Sequence, residues 1–117
     1  MQALPIFFNI KQRRCVVIGG GDVATRKVMM LLKADAAVTL YSPEICAELE
    51  AMASAGKIQY IAASFSPQQL NGACLVIAAT DDETVNIAVS QAAKALNIPV
   101  NVVDAPDLCT FTMGSII

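Results

Sequence analysis

The chain is 117 residues long, 56% hydrophobic and 15% charged, with a net charge of −2. That fits one globular domain, residues 1–117, with enough apolar side chain for a core, rather than a disordered segment. The acidic balance, with no basic stripe carrying interleaved aromatics, argues against general nucleic-acid binding. No apolar run reaches membrane-span length or forms a signal core, so a cytoplasmic protein without a membrane partner is expected. Histidine is absent, which excludes Ser-His-Asp and Cys-His catalysis and imidazole ligation. Proton transfer then falls mainly to carboxylates.

The first element is a strand near 14–18, preceded by Arg13-Arg14, which reads as solvated surface. Its continuous apolar run, Cys15-Val16-Val17-Ile18, suits burial on both faces of a sheet. Gly19-Gly20-Gly21 follows as a turn, and a helix runs from about 22 to 33. Further strands are expected near 37–41, 58–62, 74–79 and 99–103, with helices near 44–55, 67–71 and 82–96. Ser42-Pro43, Ser66-Pro67-Gln68-Gln69 and Thr80-Asp81-Asp82-Glu83 have the form of helix starts, the last two as capping boxes. Gly56 and Asn97-Ile98-Pro99 have the form of helix stops. Alternating strands and helices imply a Rossmann-like, doubly wound parallel sheet of order 3-2-1-4-5. The four cysteines, Cys15, Cys46, Cys74 and Cys109, are far apart in sequence and lack metal-ligand spacing. No resident metal site is expected. Cys15 and Cys74 read as small core residues.

In such a sheet, ligands bind beyond the strand C-termini where the strand order reverses. Gly19-x-Gly21-x-x-Ala24 fits the dinucleotide fingerprint. Gly19 allows a tight turn, Gly21 lets backbone approach a pyrophosphate, and Ala24 lets the helix pack on the sheet. The helix start after the glycines, at Asp22 and Val23, offers N–H groups and a partial positive charge to phosphate. At the end of the second strand stand Ser42, Pro43 and Glu44, with no Arg or Lys nearby to pair a 2′-phosphate, so NAD is favoured over NADP. Ser42 and Glu44 also fit plain helix capping. Thr80 and Asp81 follow the fourth strand as a helix cap and as candidates for contact with the cofactor. Asp104, at the end of the last strand before Ala105-Pro106, is the candidate general acid/base; an ordinary Asp-Ala-Pro turn is the competing reading.

Leu4-Pro5-Ile6-Phe7, Val17 to Ala24, Arg26-Lys27, Ile77 to Asp82 and Asn101 to Pro106 together resemble the siroheme synthase N-terminal module, the precorrin-2 dehydrogenase/sirohydrochlorin ferrochelatase family. The resemblance runs in order across nearly the whole chain. It implies NAD-dependent oxidation of precorrin-2, a tetrapyrrole, to sirohydrochlorin, with ferrous iron insertion as a second activity and iron as substrate. It places NAD contacts on Asp22, Val23, Pro43 and Glu44, and the essential carboxylate on Asp104. It also implies a homodimer built through a helical region beyond Ile117, before which this chain is expected to be truncated. Arg26 and Lys27 are candidates for pairing the carboxylates of the substrate. Asp35 stands where the family has glycine after the first helix, which makes a left-handed cap more costly. The family's proline before Ser115 is also missing, which loosens that turn. The alternative function is a non-catalytic NAD-binding regulatory or sensor module. Short-chain dehydrogenase chemistry is excluded, because neither Tyr41 nor Tyr60 has a lysine four residues on.

Overall fold

The computed structural model describes residues 3–113, so the turn at Ser115 lies outside the described residues. Strands β1 (Arg14–Ile18), β2 (Ala37–Tyr41), β3 (Gln59–Ile61), β4 (Leu75–Ala78) and β5 (Val100–Val102) form one sheet in the order β3-β2-β1-β4-β5. All pairings are parallel. Helices α1 (Asp22–Lys33), α2 (Ala47–Ser54) and α3 (Glu83–Ala95) alternate with them, and a 3₁₀ turn at Pro67–Leu70 leads into β4. The expected fold and strand order are present.

Both faces of the central strand are buried, as its unbroken apolar run requires. Cys15 and Val17 point into a core with Val28 and Leu31 of α1 and Leu49 of α2. Val16 and Ile18 point the other way, toward Leu70, Val89 and Ala93. In α3 the buried stripe of Asn86, Val89, Ser90 and Ala93 carries an amide among apolar side chains.

Arg14 is not solvated surface. Its guanidinium donates to Thr39 Oγ1 at 2.7 Å, Tyr41 Oη at 3.2 Å and the Gln69 carbonyl at 2.6 Å, tying β2 and the 3₁₀ turn to β1. Sequence distance hides all three partners. Arg13, by contrast, is exposed, and its guanidinium lies 5.3 Å from the centre of the Phe8 ring.

Cys15 on β1 and Cys74, the residue before β4, come together with sulfurs 3.7 Å apart. Burial first, and then Cys74, pushes the Cys15 thiol up to about 12. It is a protonated core side chain at neutral pH. Cys109 has a defined task at the edge of the sheet. Its sulfur accepts from the Val102 N–H at 3.1 Å, while Thr110 accepts from Val100 N and donates its own N–H to Val100 O. These contacts cover the outer edge of β5.

The helix ends correct three expectations. The start of α2 is not Ser42-Pro43; the helix begins at Ala47 with Cys46 at the N-cap. Ser66 makes no cap bond: its hydroxyl pairs with Gln68 Oε1, and Gln69 Nε2 donates to Ser64 O instead. The α3 cap is Asp82, which accepts from Thr84 N at 2.9 Å and Val85 N at 3.4 Å, rather than Thr80. At the C-termini, Gly56 and Asn97 take the left-handed conformation, with φ of 75° and 57°. Asp35 does the same after α1, at φ 61°, where the Ala36 N–H closes back on Leu31 O.

Two stability changes are expected. Asp35→Gly relieves a left-handed Cβ and raises unfolding stability by up to about 1 kcal/mol in denaturant titration. Arg14→Met leaves the Gln69 carbonyl and the Thr39 hydroxyl without their donor and lowers stability by about 3 kcal/mol in the same measurement.

Candidate functional site

A crevice of about 970 Å³ opens beyond the C-terminal ends of the strands, at the divergence of β1 and β4. Gly19, Gly21, Asp22, Val23, Ser42, Pro43, Glu44, Thr80, Asp81 and Asp104 all line it. The structure thus brings the candidate catalytic residue and all the candidate cofactor-binding residues to one place.

The three glycines at its centre do different jobs. Gly19 has φ 141°, and a Cβ there would lie 2.4 Å from the Ala79 carbonyl oxygen. A Cβ on Gly20 would lie 2.1 Å from the Glu44 carbonyl oxygen and 2.6 Å from Ser42 Oγ. A Cβ on Gly21 would meet nothing within 4 Å. The first two glycines therefore let the turn seat against its neighbours, and the third leaves open space over the start of α1. No side chain caps α1, so the first-turn N–H groups at Asp22 and Val23 keep their free donors and positive dipole end for a ligand. This donor set fits the pyrophosphate of a dinucleotide.

The Ser42–Cys46 loop forms the wall beside β2. Cys46 N donates to Gly20 O at 2.8 Å, and Ser42 Oγ donates to Glu44 O at 2.6 Å. Tyr60 on β3 donates its phenol to Ser42 O at 2.9 Å, with Pro43 O at 3.3 Å. Ser42 is thus a loop brace rather than a helix cap, and Glu44 is left exposed on the crevice wall. Thr25 on α1 adds a further tie, donating to Gly21 O at 2.9 Å, with its oxygen 3.2 Å from Cys46 Sγ.

Thr80 is locked from within. Its hydroxyl donates to Asn86 Oδ1 at 2.7 Å and accepts from Asp82 N at 3.1 Å, while Asn86 Nδ2 donates to the Thr80 carbonyl at 3.0 Å. The hydroxyl is spent on this turn. Asp81 and Asp82, beyond it, remain exposed.

Asp104 closes the far side, in the turn after β5. It adopts φ 59°, a conformation that costs an L-residue energy unless its surroundings hold it. Val103 N donates to Ala78 O and Ala105 N to Val102 O, pinning the chain on both sides. The carboxylate is exposed and makes no hydrogen bond among the described residues.

Charge on the wall is one-sided. Asp22, Glu44, Asp81, Asp82 and Asp104 line it, and no lysine or arginine does so among the described residues. Arg26 and Lys27 are not on the wall; they lie a full turn into α1, past the helix start that faces the crevice. Proximity in sequence to the glycine turn had suggested otherwise. Gly20, Tyr60 and Asn86 were the residues sequence reasoning missed. Asn86 alone had a signal, as an amide on the apolar stripe of α3.

The fold and this crevice define a dinucleotide-binding α/β domain of the Rossmann type. Residues 6–115 match the family model described as "Putative NAD(P)-binding", and the chain belongs to that family. It is 56% identical to a siroheme synthase of Methylobacillus flagellatus and 54% identical to one of Nitrosospira multiformis, in each case over 100% of this chain. The chain spans about a quarter of the length of these relatives, 25% and 26%. Among solved structures, "SirC, precorrin-2 dehydrogenase" superposes with a TM-score of 0.85 at 26% identity, over 97% of this chain and 55% of that one. D-lactate dehydrogenase from Escherichia coli shares the fold alone, with a TM-score of 0.56 at 13% identity over 74% of this chain and 26% of that one.

The glycines predict a clean contrast. Gly20→Ala forces the Glu44 carbonyl away, lowers stability by about 2 kcal/mol and weakens dinucleotide binding. Gly21→Ala leaves the melting temperature of the free protein nearly unchanged yet weakens binding about tenfold or more, because its Cβ occupies space left for the ligand. Thermal unfolding and titration with NAD⁺ read the two effects separately.

Proposed function

We propose that this chain is the NAD-binding domain of a precorrin-2 dehydrogenase of the siroheme synthase type. The observation that carries this reading is the shared crevice, which sets the glycine turn, the Glu44 loop and the pinned Asp104 around one space. When bound, NAD⁺ supplies a two-electron acceptor that takes hydride from the tetrapyrrole. The chain's own residues bind, orient and move a proton. The first-turn N–H groups at Asp22 and Val23 hold the pyrophosphate, and Pro43 and Glu44 border the adenosine ribose. Glu44 disfavours a 2′-phosphate by like charge, which selects NAD over NADP. Asp104 accepts the proton that leaves the macrocycle as hydride departs, so that two hydrogens are removed in all. Its freedom from hydrogen bonds leaves both carboxylate oxygens available for that task.

The substrate carries many carboxylates, and among the described residues the crevice wall supplies no lysine or arginine to pair them. We assign that pairing to groups outside this wall. The same reading makes ferrous iron a second substrate, the intact protein a homodimer and its location cytoplasmic.

The test is anaerobic oxidation of precorrin-2 by the intact protein with NAD⁺ or NADP⁺. Asp104→Asn keeps a residue that tolerates the left-handed turn and removes the proton acceptor, so kcat falls about 10²- to 10⁴-fold with little change in KM for NAD⁺. Undiminished turnover by Asp104→Asn overturns the assignment of Asp104. A preference for NADP⁺ overturns the role given to Glu44.

A further inference from the structure

The residue that fixes the Glu44 loop is itself outside the crevice. Tyr60 sits in the middle of β3, paired with Leu40 on β2, with its ring packed on the core beneath α2. Its phenol reaches over the end of the sheet to the carbonyls of Ser42 and Pro43. Ser42 N donates to Ile61 O at 3.4 Å, so β3 holds the loop start from both its donor and its acceptor side. At the other end, Cys46 N is bonded to Gly20 O, and the Glu44 carbonyl rests where Gly20 has no Cβ. The exposed carboxylate of Glu44 therefore sits on a strap fastened at both ends, and Tyr60 supplies the shortest of its ties to β3.

We propose that Tyr60 is a positioning residue that sets the preference for NAD over NADP by holding the Ser42–Cys46 strap, and with it Glu44, against the glycine turn. This rests on the reading of the crevice as a dinucleotide site. With the strap fastened, the Glu44 backbone stays beside the glycine turn, which keeps its carboxylate within reach of a 2′-phosphate and holds the wall in place before the ligand arrives. With the phenol removed, the strap gains freedom. NAD⁺ then loses a preorganised partner, while NADP⁺ escapes part of its repulsion.

Tyr60→Phe tests this directly, because it keeps the packed ring and deletes only the donor. Titration calorimetry of the intact protein with NAD⁺ and NADP⁺ is expected to show NAD⁺ binding weakened about fivefold, with NADP⁺ unchanged or tighter, the worth of one neutral hydrogen bond. Equal weakening of both dinucleotides, or no change in either, overturns the proposal, since a general loss of structure cannot alter their ratio. A second variant makes the test independent of Tyr60 alone. Glu44→Gln should shrink the preference for NAD⁺ in the wild-type background and do little in Tyr60→Phe. Equal effects in both backgrounds mean that the phenol does not act through Glu44, which also overturns it. Wild-type protein that binds neither dinucleotide overturns the reading of the crevice, and this inference falls with it.

Discussion

Backbone meets backbone without a side chain between them at the centre of this molecule. The turn after β1 presses on the carbonyl of Ala79 through Gly19 and on the carbonyl of Glu44 through Gly20. Those two carbonyls belong to the segments leaving β4 and β2, the strands on either side of β1. The spacing of the crevice walls is thus set by peptide groups in contact, which leave little room for adjustment. Everything that a ligand would touch hangs from this contact: the start of α1 above it, the Glu44 loop on one side, and Thr80 on the other. A doubly wound sheet supplies the general location, and the glycines determine how closely its walls approach.

Much of this was legible in the chain. Continuous apolar runs marked buried parallel strands, and glycine, proline and asparagine marked the turns, so that β1, β2 and α1 fall within the boundaries expected of them. The crevice was legible because strand C-termini at a switch in strand order are defined by topology alone. What stayed hidden depends on contacts between distant residues. Arg14 looked like surface because its partners lie at positions 39, 41 and 69. Gly20 had no role of its own in the fingerprint, because the loop after β2 that requires it lies more than twenty residues on. Tyr60 looked like one more strand aromatic. Local capping rules also went astray at Ser42 and Thr80, whose hydroxyls found partners in a loop and a turn, while Ser66 stands at the expected helix start without making the cap bond.

The crevice wall combines a dipole with like charges. Among the described residues, five carboxylates and no lysine or arginine line the site, and the positive element beside the glycine turn is the start of α1. An anionic ligand must then be drawn by a small number of oriented N–H groups against an unfavourable background field. Such a site rewards ligands that place phosphate at the helix start and neutral hydroxyls elsewhere. It disfavours extra anionic groups along the wall. Selectivity among nucleotides follows from the charges arrayed around the anchor as much as from the anchor itself.

The left-handed turn at Asp104 separates two properties that usually change together. Aspartate, asparagine and glycine accept that backbone with least penalty, and only the first carries a carboxylate. A relative with asparagine or glycine at this position would keep the turn, the sheet edge and the glycine cradle. It would give up only the carboxylate that faces the crevice. On the role proposed for Asp104, a catalytic domain and a silent, ligand-reporting one would stand a single substitution apart. The exchange would leave the fold untouched, because the backbone of the turn asks only for a residue that accepts its left-handed conformation.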